Sequence, residues 1–214
     1  MNKQSKIAAL FDFDGVVMDT ESQYTVFWDK QGHKYLDETD FGRKIKGQTL
    51  KQIFEKYFSG MDEEQVQITK ELNKYESEMS YDYFPGVKEF IVDLRKNNVG
   101  TALVTSSDEK KMSNVYRVHP EIKDLFDHIL TAECFTRSKP DPECFLLGMK
   151  LIGATAGNSI VFEDSLHGVK AGRDSGAKVI ALATTNPESV LKDKAAIVLN
   201  DFENMTYEKL MSLV

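Results

Sequence analysis

An apolar run meets two carboxylates in the stretch Ile7-Ala-Ala-Leu-Phe-Asp12-Phe-Asp14-Gly15. An apolar run without alternation is typical of a strand that is buried on both faces of a parallel sheet. Because side chains alternate along a strand, Asp12 and Asp14 project to the same side. They leave the strand at its carboxyl end, where open α/β sheets bind their ligands. Gly15 allows a sharp turn directly after this pair.

Two carboxylates at this spacing repel each other unless a cation lies between them or they share a proton. Mg²⁺ prefers oxygen ligands and is therefore the expected cofactor at Asp12 and Asp14. The simpler alternative is an ordinary strand-ending turn, because Asp and Gly are common turn residues. The choice between a magnesium site and an ordinary turn depends on which other residues the sequence places at the same edge of the sheet.

Four further apolar runs have the character of buried strands, at residues 101–104, 159–162, 178–183 and 196–199. Helical periodicity fills the intervals, for example at residues 87–96 and 145–152. Strands and helices in alternation predict an α/β fold with a doubly wound, mainly parallel sheet.

The segment from Asp19 to Tyr83 interrupts this alternation. It has no convincing buried strand, and Ile68, Leu72 and Tyr75 fall at helical spacing. Such a length exceeds a simple crossover between strands. We predict an inserted α-helical cap domain at residues 19–83 and a core domain at residues 1–18 and 84–214. The alternative is that these helices merely pack on the core.

Hydroxyl groups follow the second predicted strand in Thr105-Ser106-Ser107. Hydroxyls and backbone N–H groups at the start of a helix form a cradle for phosphate. A plain helix cap by Ser107 or Asp108 is equally expected from the sequence. For Thr105, which lies at the end of the strand, we favour a role in phosphate binding.

A lysine and a second pair of acids complete the set of candidate residues. Lys139 precedes Pro140 at the entry to a predicted helix, where its charge could neutralise both phosphate and a nucleophile. Glu163 and Asp164 end another buried strand and could complete the metal shell that begins with Asp12. Asp164 could instead cap the helix that follows.

The composition narrows the range of partners. Lys and Arg total 27 against 34 Asp and Glu, which gives a net charge of −7. An acidic protein is a poor partner for nucleic acid or for an anionic membrane, and a divalent cation would help it to bind a phosphate substrate. Cys134 and Cys144 lack the spacing of a zinc site. The apolar run before Asp12 is too short for the core of a signal peptide, and no run approaches transmembrane length, so we expect a cytoplasmic protein. A capped enzyme of this size could work as a monomer.

Together these motifs resemble the haloacid dehalogenase superfamily, in its phosphatase and phosphomutase branch with a helical cap. Four motifs occur in the order that the superfamily shows, and they span nearly the whole chain. These are Asp12-Phe-Asp14-Gly15-Val-Val, Thr105-Ser-Ser107, Lys139-Pro-Asp-Pro142 and Glu163-Asp164-Ser-Leu-His-Gly168. The subgroup they resemble contains β-phosphoglucomutase and small sugar-phosphate phosphatases.

The resemblance implies a role for each residue. Asp12 would attack phosphorus and form an aspartyl-phosphate, and Asp14 would act first as general acid and then as general base. Thr105 would hold the transferred phosphoryl group, and Lys139 would balance its charge. The implied ligands of Mg²⁺ are Asp12, the backbone carbonyl of Asp14, and Asp164, with Glu163 beside them. Ser106 and Ser107 would bind phosphate.

Phosphatase and mutase differ in the phosphoryl acceptor, which is water or a sugar hydroxyl. The mutases resembled here have a histidine where this chain has Tyr24 and an arginine where it has Leu50, so we favour a phosphatase of a small phosphorylated metabolite. Lys46 and Gly47 in the cap loop are candidate substrate contacts and could meet a second anionic group, as in pyrophosphate or a sugar bisphosphate. A non-catalytic phosphate-binding regulatory protein is the alternative from another class.

Overall fold

A computed structural model describes residues 6–214; residues 1–5, which fall in the predicted core domain, lie outside the described part. The strands pair in one parallel sheet of order β3-β2-β1-β4-β5-β6. The strands are β1 (Ala8–Phe11), β2 (Gly100–Val104), β3 (His128–Leu130), β4 (Ser159–Glu163), β5 (Lys178–Leu182) and β6 (Ile197–Leu199). The strand order reverses between β1 and β4, which makes the sheet doubly wound, and the predicted fold class is confirmed.

Helices connect the strands and cover both faces of the sheet. Those of the inserted segment are α1 (Glu21–Leu36), α2 (Phe41–Lys44), α3 (Leu50–Tyr57) and α4 (Asp62–Glu78). Those that follow are α5 (Val87–Lys96), α6 (Glu109–Val118), α7 (Ile122–Leu125), α8 (Glu143–Ile152), α9 (Leu166–Asp174), α10 (Glu188–Leu191) and α11 (Tyr207–Leu213). Across residues 6–214, no helix combines the length and the apolar character needed to cross a membrane.

The central strand β1 is buried on both faces, as its unbroken apolar run predicts. Ala9 and Phe11 belong to the core on one face of the sheet, whereas Ala8 and Leu10 belong to the core on the other. Phe11 stacks on Phe162 of β4 with the ring centroids 4.5 Å apart. This packing fixes the ends of β1 and β4 side by side.

The sequence reading missed β3. This strand has three residues, and His128 and Ile129 are only partly buried, so it has no apolar run. It pairs with β2 at the edge of the sheet, where backbone pairing alone defines a strand. The other strands differ by at most a residue or so at each end from their predicted positions.

Helices α1 to α4 have a hydrophobic cluster of their own. Its buried members include Trp28, Phe41, Phe58 and Ile68. The two segments that connect these helices to the sheet run side by side, because Asp19 N–H donates to the Asp82 carbonyl at 2.8 Å. The helical insertion therefore leaves and re-enters the α/β core at one place.

Candidate active site

The carboxyl ends of β1 and β4 meet at the point where the strand order reverses. Asp12, directly after β1, donates its backbone N–H to the Phe162 carbonyl of β4 at 3.0 Å. A cavity of about 410 Å³ lies between this edge of the sheet and helices α1 to α4. Asp12, Asp14, Lys139 and Asp164 line it from the core side. Ligands of open α/β sheets bind at such a reversal, so the predicted carboxylates lie where the fold favours a site.

Lys139 connects the two strand ends. Its ammonium donates to Asp12 Oδ1 at 2.6 Å, to Glu163 Oε1 at 2.7 Å and to the Val104 carbonyl at 3.2 Å. The side chain is only 2% exposed, and the peptide bond to Pro140 is cis. A buried ammonium with three hydrogen-bond acceptors has a fixed position in the fold, unlike a lysine on a solvated surface.

Burial and charge shift the acid–base equilibria of this pair. Burial, together with the charges of Glu163 and Asp14, raises the pKa of the Asp12 carboxyl to about 8, against the lowering effect of Lys139. Burial alone would lower the pKa of Lys139, but the charges of Asp12 and Glu163 hold it above its ordinary value. The single ammonium of Lys139 is thus shared by two buried carboxyl groups, those of Asp12 and Glu163.

The same carboxylates form a cluster that suits a cation. One oxygen from each of Asp12, Glu163 and Asp164 lies within 4.8 Å of the others. Asp164 Oδ2 is buried and makes no hydrogen bond of ordinary geometry among residues 6–214, although the Thr185 hydroxyl lies close enough to act on its charge. Burial, followed by the charges of Glu163, Glu21 and Asp12, raises the pKa of Asp164 well above its ordinary value. An orphaned buried carboxylate oxygen beside two other carboxylates fits a hard divalent cation.

Glu163 differs from the other two acids in this cluster because both of its oxygens already accept hydrogen bonds. Oε1 accepts from Lys139, and Oε2 accepts from the backbone N–H groups of Asp164 and Ser165 and from Ser165 Oγ. These bonds orient Glu163 toward its own loop. Ser165, rather than Asp164, caps α9, which leaves the Asp164 side chain free of a capping role.

Gly15 is required where Asp164 approaches the end of β1. Its φ is +82°, and a Cβ there would lie 2.1 Å from Asp164 Oδ2. Any side chain at this position would therefore displace the orphaned oxygen as well as strain the turn.

Asp14 has its carboxylate fixed by three donors. Oδ1 accepts from the hydroxyl of Thr20 and from the ammonium of Lys111. Oδ2 accepts from Ser107 Oγ at 2.8 Å. The side chain thus lies beside the Asp12 site without entering the ion pair of Lys139.

The hydroxyls after β2 lie at the same edge of the sheet. Asp108 caps α6, so the capping alternative does not hold for Ser107. Ser106 and Ser107 line the cavity, and Ser106 Oγ is buried without a partner in the described chain. Thr105 is fully buried and its Oγ1 accepts from the Ser107 N–H at 3.0 Å, which leaves its hydroxyl hydrogen to donate elsewhere.

The loop that contains Lys46 and Gly47 lines the cavity from the opposite side. Gly47 has a φ of +76°, and a Cβ there would lie 2.8 Å from Ser165 Oγ, so the loop packs directly on the segment after β4. Lys46 lines the cavity and pairs with Glu21 at 3.2 Å. The roles of both residues in substrate binding remain predictions.

The sequence reading missed Thr20, Glu21 and Lys111. Thr20 precedes α1 and gives no capping hydrogen bond, because its hydroxyl is used by Asp14. Lys111 lies in α6 outside the four motifs, and only the fold places its ammonium against Asp14. The position of Thr20 depends on the turn that follows Gly15.

The fold and the site define a class of doubly wound α/β proteins with buried carboxylates and a lysine at the strand-order reversal. The chain belongs to the haloacid dehalogenase-like hydrolases, whose family model matches residues 9–182. This family includes phosphatases and enzymes that act on phosphosugars, and the suspected membership is confirmed.

Three similar proteins illustrate the breadth of the family. A probable pseudouridine-5'-phosphatase of Saccharomyces cerevisiae is 30% identical over 89% of this chain and 88% of its own length. The crystal structure of β-phosphoglucomutase from Clostridium difficile is 27% identical, with a TM-score of 0.79 over 97% of this chain and 96% of that one. The chloroplastic protein SUPPRESSOR OF QUENCHING 1 of Arabidopsis thaliana is 26% identical over 91% of this chain, which spans only 19% of that relative.

Proposed function

We propose that the protein is a Mg²⁺-dependent phosphatase of a small phosphorylated metabolite, with Asp12 as the nucleophile. The observation that carries this proposal is the buried contact of Lys139 with Asp12, beside Asp14 and in the lining of the cavity between the sheet and helices α1 to α4. An ammonium that holds one carboxylate oxygen orients the other toward a substrate. It also offsets the charge that a phosphoryl group brings.

The proposed reaction has two displacements at phosphorus. In the first, an Asp12 oxygen bonds to phosphorus while the ester P–O bond breaks, and Asp14 gives a proton to the leaving oxygen. In the second, water bonds to phosphorus, the bond to Asp12 breaks, and Asp14 takes a proton from that water. Ser106 Oγ and the Thr105 hydroxyl are the proposed donors to the phosphoryl oxygens.

The donor set supports a magnesium site. Asp12, Asp164 and the backbone carbonyl of Asp14 would hold the ion, and Glu163 would position Lys139 and the loop after β4 instead of acting as a direct ligand. When bound, Mg²⁺ would neutralise charge on the phosphoryl group. Residues 19–83 are the proposed cap domain, which would exclude water from the reaction.

Magnesium should raise the thermal stability of the wild-type protein. At about one hundred times the dissociation constant, bound ion contributes about 2.7 kcal/mol, which corresponds to a rise in Tm of about 5–10 °C for a chain of this size. Asp164→Asn should remove most of this rise. In chelator, the same variant should be at least as stable as wild type, because it replaces a carboxylate that burial and its neighbours disfavour. Calorimetry with and without Mg²⁺ measures both effects, and an equal rise in both proteins would contradict the assignment of Asp164.

The walls of the cavity indicate the class of leaving group. Trp28, Ile53 and Leu72 give apolar surface, and Asn73 is the polar group beside them. Lys46, which also faces the cavity, is paired with Glu21. A second phosphate at Lys46 would therefore have to compete with Glu21 for that cation. Lys51 and Lys110 also line the cavity, but both are exposed, where solvent weakens an ion pair. We therefore propose an uncharged, hydroxyl-bearing or partly apolar leaving group.

A monophosphate should be preferred over the matched bisphosphate. We expect kcat/KM for glucose 1-phosphate to exceed that for glucose 1,6-bisphosphate by about 10-fold, or about 1.4 kcal/mol. Leu50→Arg adds a cation at the cavity wall, so it should reduce the preference for the monophosphate over the bisphosphate. A wild-type preference for the bisphosphate would contradict the proposed leaving group.

Phosphate release from a panel of phosphate esters and pyrophosphate, in Mg²⁺ and in chelator, tests the proposed function. Mg²⁺-dependent release from one ester supports the phosphatase and names its leaving group. Conversion of β-glucose 1-phosphate into glucose 6-phosphate without release would identify a mutase. Tyr24 argues against that outcome, because its hydroxyl is engaged with Glu76 at 2.8 Å. Phosphate binding without any turnover would identify a regulatory protein.

A further inference from the structure

Lys111 is a buried cation that the proposed chemistry does not yet use. It lies in the first turn of α6, and its side chain is 4% exposed. Its ammonium contacts Asp14 Oδ1 and lies 4.4 Å from the ring centre of Tyr24 and 5.3 Å from that of Phe13. Helix α1, which carries Tyr24, thus helps to enclose a lysine that belongs to the core.

Fold stability alone does not explain a lysine at this position. Burying an ammonium costs several kcal/mol, and replacing a buried ion pair by apolar groups is often neutral or stabilising. The side chain is surrounded by two aromatic rings, so an apolar residue of similar length would fit the same space. Within residues 6–214, Asp14 is the acid that this ammonium contacts directly, while Glu76 and Glu21 lie within reach of its charge. The charge of Lys111 therefore acts first on Asp14.

The three donors around Asp14 divide its two oxygens. Thr20 and Lys111 both occupy Oδ1, whereas Oδ2 has Ser107 Oγ as its partner. Ser107 and Lys111 both line the cavity, so the carboxyl group as a whole faces it, and Oδ2 is the oxygen with a single, uncharged donor. With Oδ1 taken by two donors, Oδ2 is left to exchange a proton.

We propose that Lys111 is a positioning residue that fixes Asp14 so that Oδ2 transfers the proton. This inference rests on the proposed function, since it concerns the acid–base step of the same reaction. As the P–O bond to the leaving group breaks and the bond to Asp12 forms, the proton on Oδ2 passes to the leaving oxygen. Without Lys111, the carboxyl group keeps Thr20 and Ser107 as partners but loses the charged contact that holds Oδ1.

A comparison of two leaving groups tests this role. Lys111→Met keeps the length of the side chain and removes the charge. An alkyl phosphate needs a proton on its leaving oxygen, whereas p-nitrophenolate leaves without one. We expect kcat/KM to fall by about 100-fold for the alkyl phosphate and by less than about 10-fold for p-nitrophenyl phosphate. Because kcat/KM reports the steps up to leaving-group departure, the comparison isolates the acid step.

Controls separate positioning from a purely structural effect. Lys150→Met, at an exposed lysine of α8, should change neither value. Lys111→Gln retains a polar donor without the charge. Its loss of kcat/KM should be smaller, and it should again be larger for the alkyl phosphate than for p-nitrophenyl phosphate. This variant replaces Lys111→Met in the test if Lys111→Met does not fold. The inference is wrong, while the proposed function stands, if the wild-type protein hydrolyses both esters and the Lys111 variants lose equal activity on the two substrates or lose none. A wild type that hydrolyses no ester would overturn the proposed function and this inference with it.

Discussion

Asp12→Asn should abolish turnover while the protein remains folded. The amide is a poor nucleophile, so no bond to phosphorus forms, and we expect kcat to fall by a factor on the order of 10⁴ or more. The fold should tolerate the change because the amide has nearly the same shape and because burial already disfavours the charged form of Asp12. Phosphate release on the preferred ester and the Tm of each protein are the measurements.

Trapping of the covalent intermediate separates loss of the nucleophile from loss of substrate binding. In the Asp14→Asn variant, Asp12 can still accept a phosphoryl group from p-nitrophenyl phosphate. The variant lacks the base that activates water, so the phosphoryl group should remain on Asp12. The intact mass of this variant should therefore show a phosphoryl adduct, whereas Asp12→Asn should show none. Asp193→Asn, at an exposed aspartate, should behave as wild type. Near-normal turnover in Asp12→Asn would overturn the mechanism.

The predictable part of the site is the part that strand ends determine. Asp12 and Asp164 follow buried apolar runs, and parallel strands bring the ends of such runs to one edge of the sheet. The role of Lys139 could be predicted because the residue begins the motif Lys139-Pro-Asp-Pro142. The orientation of Asp14 could not be predicted in this way, since its donors come from two distant segments of the chain, Thr20 and the stretch from Ser107 to Lys111.

Lys111 shows why a single lysine on an amphipathic helix escapes sequence reasoning. Most lysines are exposed, and the pattern of α6 gives no sign that a neighbouring helix covers this one. The covering side chain is Tyr24 of α1, from the inserted segment. Glu163 is a similar case: its residue type and position predict a metal ligand, whereas the hydrogen bonds that its two oxygens accept depend on the fold.

Lys139→Met should destabilise the fold as well as reduce activity. Removal of the ammonium leaves Asp12 and Glu163 buried near Asp164 without their shared cation. Breaking a buried ion pair costs about 3–5 kcal/mol, which corresponds to a fall in Tm of about 6–20 °C. Loss of the charge that orients Asp12 should lower kcat/KM by a factor on the order of 10³. Chemical denaturation and steady-state kinetics measure the two effects separately.

A second substitution tests whether the loss comes from uncompensated charge. Glu163→Gln added to Lys139→Met removes one of the stranded carboxylates, so the double variant should recover part of the stability that Lys139→Met loses. It should not recover turnover, because Asp12 still lacks its ammonium. Lys178→Met, at an exposed lysine of β5, should change the unfolding free energy by no more than about 0.5 kcal/mol. If Lys139→Met unfolds like wild type, the ammonium does not offset the buried carboxylates. The electrostatic basis of the proposed nucleophile would then be wrong.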